Sequence, residues 1–475
     1  MASSKKINIR LLIDKEKNKV LFAESDKDFV EALFCFLTLP ISTIVSLANK
    51  QSNLGCIDAL YRSVEALDKD HFQTEACKEM LLRPRSEAGR QYQSLDLDFD
   101  GTGATQGTPY YDCPSWTCCT ETHCLTSMFE NSKCLCGQKM SIMRPAGGKH
   151  IKDDRVNGVF VKGNGKYMVS DDLEVTTLSV DTSLSIFRQF GIKDGSNLEE
   201  RNITFGMEEV KELLKRSILS KTPMSDVFLS KKTGIDSKFI KTESLESYSL
   251  SQADTKQVNL KILIRKSKNQ VIYAVAKAEF MNTLFSLLTF PIGAVVKILG
   301  GYSSIGSMDK LYKSVESLCN EDPETYKKYR EKLLDPRVAF QHGCKNQLLQ
   351  IKEESGNVTI TKCSKCFQDG IVVTNLCKHG LGITNLSIIN PKVSDTVTEG
   401  GGGFIKESMA FMVTDDLVVQ PHSQISSISH LNQHGVPFND LEERSVTVGE
   451  LEALSILKAL LTCKTVLTSV FGRKH

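Results

Sequence analysis

Two long apolar stretches, each centred on a proline, dominate the hydrophobic pattern of the chain. The first, FVEALFCFLTLPISTIVSLA, runs from Phe29 to Ala48, and the second, FMNTLFSLLTFPIGAVVKIL, runs from Phe280 to Leu299. Apolar residues continue at helical spacing on both sides of each proline, but proline lacks the N–H that a helix interior needs. Each stretch therefore predicts two buried helices that meet at the proline, Pro40 or Pro291.

A shorter alternating pattern precedes each apolar stretch. INIRLLID begins at Ile7, a polar KEKNK segment follows, and VLFAE begins at Val20. The similar VNLKILIRKSKNQVIYA begins at Val258. Alternation of apolar and polar residues with a polar turn between two runs is typical of a β-hairpin. Both halves are thus predicted to begin with a hairpin and to continue into helices.

These similarities extend along the chain and predict an internal duplication. The two segments align without a gap from Ile7/Val258 to Leu67/Leu318, and 25 of the 61 aligned pairs are identical. Later blocks recur too, because MVSDDL in the first half becomes MVTDDL in the second, and LEER occurs in both. We expect the two halves to pack as a pseudo-twofold pair.

The predicted fold class is α+β, with strands and helices grouped in modules. In each half we expect a hairpin-helix module, a small zinc-ribbon-like insert and a strand-helix module. Gly158 to Leu178, in the first strand-helix module, predicts two strands around a Gly163-Asn164-Gly165 turn. The predicted boundaries are a first repeat at 1–229 (modules 1–95, 110–145 and 155–229), a linker at 230–257, and a second repeat at 258–475 (modules 258–340, 358–392 and 404–475).

Composition narrows the function classes. The 475 residues carry a net charge of +2, with 40% hydrophobic and 24% charged residues, as in an ordinary soluble globular protein. A balanced charge argues against nucleic-acid binding by the protein as a whole. Polar residues such as Glu31, Asn282 and Lys297 interrupt the apolar stretches, so we expect core helices and no membrane span. The N-terminus lacks the apolar core of a secretory signal, which predicts an intracellular protein of the cytoplasm or nucleus.

Cysteine spacing supplies the main candidate chemistry. In a reducing compartment, clustered cysteines among the 15 in this chain indicate metal ligands before disulfides. Each half offers four thiol or imidazole ligands in two short knuckles, which is what a structural tetrahedral Zn²⁺ requires. Cys119 or Cys124 could replace one ligand of the first set, and ordinary thiols are the alternative for both sets. The predicted ligands are Cys113, Cys118, Cys134 and Cys136 in the first set and Cys363, Cys366, Cys377 and His379 in the second.

No motif in the chain specifies a reaction, and three function classes stay open. We favour a non-enzymatic, zinc-stabilised scaffold with a protein partner. The alternatives are a nucleic-acid-binding protein that uses its inserts, and an enzyme with a site between the repeats. Adjacent acidic residues at Asp171-Asp172 and Glu199-Glu200 predict turn and helix-cap roles, because neighbours on a strand point to opposite faces. The basic residues that favour nucleic-acid binding are Lys133, Lys139, Arg144 and Lys149.

The residues also resemble a known family. LLIDKEKNKVLFAES followed by DFVEALFCFLTLPISTIVSLA, with the helix CIDALYRSVEAL, is similar to a land-plant family catalogued as domain of unknown function 674. The Cys-x-Cys-Gly and VSDDLEV blocks fit the same pattern, so the resemblance covers nearly the whole chain. It implies an intracellular plant protein, often internally duplicated, and no activity that can be carried over. His379 departs from the pattern, because it stands where the second knuckle would end in cysteine.

Overall fold

The structure is a computed structural model that describes the chain in segments. The described residues are 6–86, 88–89, 99, 107–115, 125–147, 160–161, 165–229, 256–344, 347–354, 360–363, 372–373, 383–392 and 402–472. Within them the backbone alone is described at 107–108, 144–147, 325, 327–328, 360–363, 372–373 and 383–387. Helices and antiparallel sheets make up the fold, so the predicted α+β class is confirmed.

Outside the inserts, the described strands and helices follow the same order in both halves. The strands are β1 (Ile7–Asp14), β2 (Lys19–Asp26), β3 (Gly107–Asp112), β4 (Leu125–Ser127), β5 (Ser132–Lys133), β6 (Lys139–Met140), β7 (Ile142–Gly147), β8 (Lys166–Ser170), β9 (Val175–Thr177), β10 (Leu198–Phe205), β11 (Val258–Arg265), β12 (Gln270–Lys277), β13 (Ile360–Cys363), β14 (Val372–Val373), β15 (Ile383–Ile388), β16 (Ala410–Thr414), β17 (Val419–Pro421) and β18 (Leu441–Val448). The helices are α1 (Lys27–Thr38), α2 (Ile41–Leu47), α3 (Ile57–Ala66), α4 (Glu75–Leu82), α5 (Val180–Phe190), α6 (Met207–Leu219), α7 (Pro223–Phe228), α8 (Ala278–Ser286), α9 (Ile292–Ile298), α10 (Met308–Glu321), α11 (Pro323–Leu334), α12 (Gln424–Gln433), α13 (Glu450–Thr462) and α14 (Val466–Phe471). Short 3-10 turns occupy Lys69–His71, Leu287–Thr289 and Phe438–Asp440.

Two five-stranded antiparallel sheets have the same strand order. The first is β10-β1-β2-β8-β9 and the second is β18-β11-β12-β16-β17. The predicted hairpins β1–β2 and β11–β12 lie at the centre of each, because their alternating apolar residues are buried on one face. Each sheet combines the hairpin with strands from the later module of the same half, while the predicted module boundaries stay a prediction.

The two prolines meet in the core. Pro40 is the N-cap residue of α2 and Pro291 is that of α9, so each proline lies just before its helix, where the missing N–H costs no helical hydrogen bond. The Ile41 N–H donates to the Phe290 carbonyl, and the Ile292 N–H donates to the Leu39 carbonyl, both at 3.0 Å. Most residues of both apolar stretches are buried, which confirms the prediction of core helices.

Two reciprocal contacts, here called the junctions, join the halves. At the first junction α3 packs against β17 and the end of α13, and the Ser63 hydroxyl accepts a hydrogen bond from the Val419 N–H at 2.9 Å. At the second junction α10 packs against β9 and the end of α6, and the Ser314 hydroxyl accepts from the Val175 N–H at 2.8 Å. The repeated serine therefore has a packing role in both halves.

The inserts of the two halves also combine. Strands β3, β4 and β7 from the first insert and β13, β14 and β15 from the second form one closed six-stranded sheet, in the order β13-β14-β7-β3-β4-β15. Parallel pairs β14–β7 and β15–β4 connect the two inserts. The inserts were expected as two small modules, and their strands instead share a sheet.

Within the described part of the chain, every helix is too short or too polar to cross a lipid bilayer.

Candidate metal centre

A tight turn presents two of the predicted ligands. Strands β5 and β6 pair through Ser132–Met140 and Lys133–Lys139 and leave Cys134 to Gln138 between them. The Cys134 N–H donates to the Gln138 carbonyl and the Gly137 N–H donates to the Cys134 carbonyl, both at 2.8 Å. Gly137 has φ +88°, which a side chain would disfavour. The glycine after Cys136 therefore allows the chain to reverse while both cysteines stay on the turn.

The third ligand comes from a different strand. Cys113 directly follows β3, and its Sγ lies 3.5 Å from the Cys136 Sγ. All three sulfurs of Cys113, Cys134 and Cys136 lie within 4.8 Å of one another. The Ser115 N–H donates to the Cys113 sulfur at 3.4 Å. This contact favours a thiolate, because an N–H donor stabilises negative charge on sulfur.

The sulfur spacing fits a metal ion. Zn–S bonds of about 2.3 Å in a tetrahedron place neighbouring sulfurs about 3.8 Å apart. The observed 3.5 Å contact and the 4.8 Å limit bracket that value. Thiolate is also the ligand that soft and borderline cations prefer. The three cysteines could therefore hold a metal ion without rearrangement of the turn.

The surroundings of the cluster are partly apolar. Cys113 and Cys134 are buried with Met140 and Ile389, while Cys136 is exposed. Ile389 belongs to the second insert, and its N–H donates to the Thr126 carbonyl at 2.8 Å. The cluster consequently lies where the two inserts meet, and residues of both contribute to its packing.

An ion pair anchors the cysteine turn to the helical part of the fold. Lys139 of β6 bonds to Glu75 of α4, and Lys69 lies 3.4 Å from the same carboxylate. The hydrogen bond from Lys139 lowers the pKa of Glu75, with Lys69 adding to the effect. One of the basic residues predicted to face a nucleic acid is therefore already paired within the protein.

The remaining predicted ligands are Cys118 of the first set and all four residues of the second set. Cys118, Cys366, Cys377 and His379 lie outside the described residues, as do the alternatives Cys119 and Cys124. Cys363 is the last residue of β13, where the backbone alone is described. The fourth ligand of the first set and the whole second set stay a prediction.

The adjacent acidic residues have structural roles. Asp171 accepts hydrogen bonds from the Ser225 N–H and hydroxyl, each at 2.8 Å, and so caps α7 from outside the helix. Asp415 does the same for α14 through the N–H and hydroxyl of Thr468, each at 2.7 Å. Burial raises the pKa of Asp171 to about 6 and also raises that of Asp415. The predicted cap role is confirmed for Asp171, whereas Glu199 and Glu200 lie within strand β10, so the turn and cap prediction was wrong for them.

The structure also contains a pair of neighbouring histidines that the sequence motifs did not predict. The rings of His430 and His434 lie 4.3 Å apart at the end of α12, and His434 Nδ1 donates to the His430 carbonyl at 2.9 Å. Burial and the neighbouring His434 lower the pKa of His430. Histidines four residues apart share one helix face, so this spacing could have indicated the pair.

These features define an α+β protein whose first insert brings together three thiol groups able to hold a metal ion. The chain matches the family described as Protein of unknown function (DUF674) over residues 3–451, and it belongs to that family. Comparisons with curated proteins and with solved structures found no match.

Proposed function

We propose that this protein is an intracellular, zinc-stabilised scaffold that binds a protein partner and catalyses no reaction. The proposal rests on one observation: the sulfurs of Cys113, Cys134 and Cys136 lie within 4.8 Å of one another. Cys118 is the proposed fourth ligand. Four protein ligands close the coordination sphere of Zn²⁺ and leave no position for a substrate water.

The position of the cluster supports a structural role for the metal. A Zn²⁺ bound there would connect the β5–β6 turn to the end of β3. Without the metal, each of these three strands pairs over only a few residues. Ile389 brings the second insert against the same cluster. Metal binding would thereby stabilise the contact between the inserts, since binding energy at a structural site is folding energy.

Exposed apolar side chains support a protein partner. Val180 and Leu184 lie one turn apart on α5, with 75% and 43% of their surface exposed. Ile425 and Ile428 lie similarly on α12, with 82% and 48% exposed. The two helices cover corresponding sheets, so each half presents one apolar helix face. Clustered apolar residues on a surface are typical of protein contacts.

Nucleic-acid binding through the inserts is the second candidate, and one side chain favours it. Lys133 is exposed beside the cysteine turn. Lys139 supports it less, because its ammonium group is paired with Glu75. This candidate predicts binding to nucleic acid that weakens steeply with salt, whereas the scaffold predicts none.

Metal content tests the proposal. The full chain, purified under reducing conditions without chelator, should contain at least one Zn²⁺, and Cys134→Ser should remove one equivalent. Chelation should also lower the melting temperature of the parent protein. Cobalt in place of zinc should give the absorption of a tetrahedral thiolate site, because its visible spectrum reports ligand type and geometry.

Cys319→Ser is the matched control, because Cys319 is a buried cysteine of α10 and is not part of the cluster. It should retain the metal content of the parent. A second equivalent that survives Cys134→Ser and is lost with Cys377→Ser would assign the second set as well. A chain without zinc, or zinc unchanged in Cys134→Ser, would contradict the proposal.

A further inference from the structure

The two junctions have the same backbone geometry but different side-chain chemistry. At the second junction the Ser307 hydroxyl donates to the Ser220 carbonyl at 2.8 Å. At the first junction the corresponding residues are cysteines, and the Cys56 thiol donates to the Cys463 carbonyl at 3.0 Å. A serine pair in one half-to-half contact is thus a cysteine pair in the other.

Main-chain hydrogen bonds fix both cysteines at helix ends. Cys56 is the N-cap residue of α3, and its N–H donates to the Leu460 carbonyl at 2.8 Å. Cys463 is the C-cap residue of α13, and its N–H donates to the Ala459 carbonyl at 2.7 Å. Both residues therefore lie at helix ends that fix their backbones, and the Cys56 sulfur already touches the main chain of Cys463.

We propose that Cys56 and Cys463 form a reversible disulfide when the protein meets a peroxide, and that this bond locks the first junction. The two residues belong to helix ends that are in contact, and the Cys56 sulfur lies 3.0 Å from the Cys463 carbonyl oxygen, which brings the two side chains within reach of each other. Cys463 is half-buried and Cys56 is buried, so Cys463 is the thiol that meets the oxidant first.

The disulfide forms in two steps, through a sulfenic acid. The Cys463 thiolate attacks one peroxide oxygen, the O–O bond breaks, and the departing hydroxide takes a proton to give water and a sulfenic acid. The Cys56 thiolate then attacks the sulfenic sulfur, the S–O bond breaks, and a second water leaves with the Cys56 proton. The pair loses two electrons, and the peroxide accepts them.

The environment of Cys56 agrees with its role as the second thiol. Burial raises the pKa of Cys56 to about 12, with Asp416 adding to the increase and Lys464 opposing it. A thiol that is rarely ionised reacts slowly with peroxide. The Cys463 side chain also contributes to this increase, as expected if the two thiols are close.

Non-reducing electrophoresis gives a direct readout. The full chain, first reduced, is treated with hydrogen peroxide, alkylated and denatured. A bond between residues 407 positions apart closes most of the chain into a ring, so the oxidised protein should migrate faster than the reduced protein. Peptide mass spectrometry should identify the Cys56–Cys463 link, and a thiol reductant should remove it.

Two variants serve as matched tests. Cys56→Ser should fold, because Ser307 makes the same contact at the other junction, and it should lose the fast band. Cys35→Ser, which alters a buried cysteine of α1, should keep the band.

A transplant tests whether the geometry suffices. In the Cys56→Ser background, Ser220→Cys with Ser307→Cys should restore a peroxide-dependent link across residues 87 apart, with a smaller shift in mobility. A fast band that persists in Cys56→Ser, a link that maps to other cysteines, or no link in the folded parent chain would overturn the inference.

Discussion

A comparison of the two junctions shows which part of this fold is constrained and which part varies. Gly55 at the first and Gly306 at the second have φ of +47° and +45°, and both approach a backbone carbonyl of the other half. Ser63 and Ser314 bond to the opposite half with nearly equal distances. The side chains differ: the pair at the helix ends is cysteine at the first junction and serine at the second, and Lys310 lies 3.5 Å from Glu174 at the second junction, where the aligned residue of the first is Ala59. The backbone approach is thus shared, and side-chain chemistry can change without altering it.

The largest effect is expected from the glycines. In Gly55→Ala the new Cβ would lie 2.1 Å from the Leu460 oxygen, and in Gly306→Ala it would lie 2.2 Å from the Ser217 oxygen. The collision with backbone and the positive φ together should cost about 3–5 kcal/mol in each variant. Urea unfolding of both variants beside the parent chain measures this loss.

Gly191→Ala separates the two causes. Gly191 has φ +70°, but a Cβ there meets no atom within 4 Å. Gly191→Ala should therefore lower the free energy of unfolding by about 1 kcal/mol, which is the cost of the left-handed conformation alone. Unequal losses at Gly55 and Gly306 would show that the junctions do not contribute equally to stability.

An intermediate effect is expected from the buried carboxylates beside the junctions. Asp171 has a folded pKa of about 6, against about 3.9 in an unfolded chain. The folded state therefore binds this proton more tightly, and its contribution to stability is complete below the unfolded pKa and lost as pH rises through about 6. The loss is about 2–3 kcal/mol between pH 4 and pH 7.

Asp171→Asn should remove that part of the pH dependence, because an amide does not titrate. The free energy of unfolding of variant and parent, measured at both pH values, gives the difference free of other titrating groups. Asp415→Asn should act in the same direction, since burial also raises the pKa of Asp415. A difference that does not change between the two pH values would be incompatible with this account.

The smallest effect is expected from the repeated serines. Ser63→Ala leaves the Val419 N–H without its acceptor, and Ser314→Ala does the same to Val175. A buried N–H without a partner costs about 1–2 kcal/mol. Chemical denaturation should show equal losses that add in the double variant, because the two contacts share no residue. Losses that differ by more than 1 kcal/mol would indicate unequal junctions.

Much of the fold could be predicted from periodicity. The hairpins, the helices on both sides of Pro40 and the helix Met207–Leu219 follow from apolar spacing and from proline chemistry. The turn expected at Gly163-Asn164-Gly165 stays a prediction, because Gly163 and Asn164 lie outside the described residues, while strands β8 and β9 reverse after Ser170, with Leu173 at φ +64°. Local hydrogen bonds close that reversal, from the Ser170 N–H to the Glu174 carbonyl and from the Leu173 N–H to the Ser170 carbonyl, whereas the tertiary bond from Ser225 to Asp171 could not be predicted from local turn preference.

The cysteine contacts, too, could be predicted only in part. Spacing placed Cys113, Cys134 and Cys136 in one predicted ligand set, and their sulfurs lie within 4.8 Å of one another, while metal binding itself stays a prediction. Spacing could not predict the Cys56–Cys463 contact, because the two residues are 407 positions apart and neither belongs to a cysteine motif. Contacts of that range depend on how the halves pack.

The reciprocal junctions also set the order in which the molecule can be completed during synthesis. The partner of Ser63 is 356 residues further along the chain. At about 5–20 residues per second, a ribosome needs roughly 20–70 s to make that interval. Throughout it, the face of α3 that later receives Val419 has no native partner and depends on chaperones or on delayed folding. Slowed elongation in the second half should therefore lower the yield of folded protein.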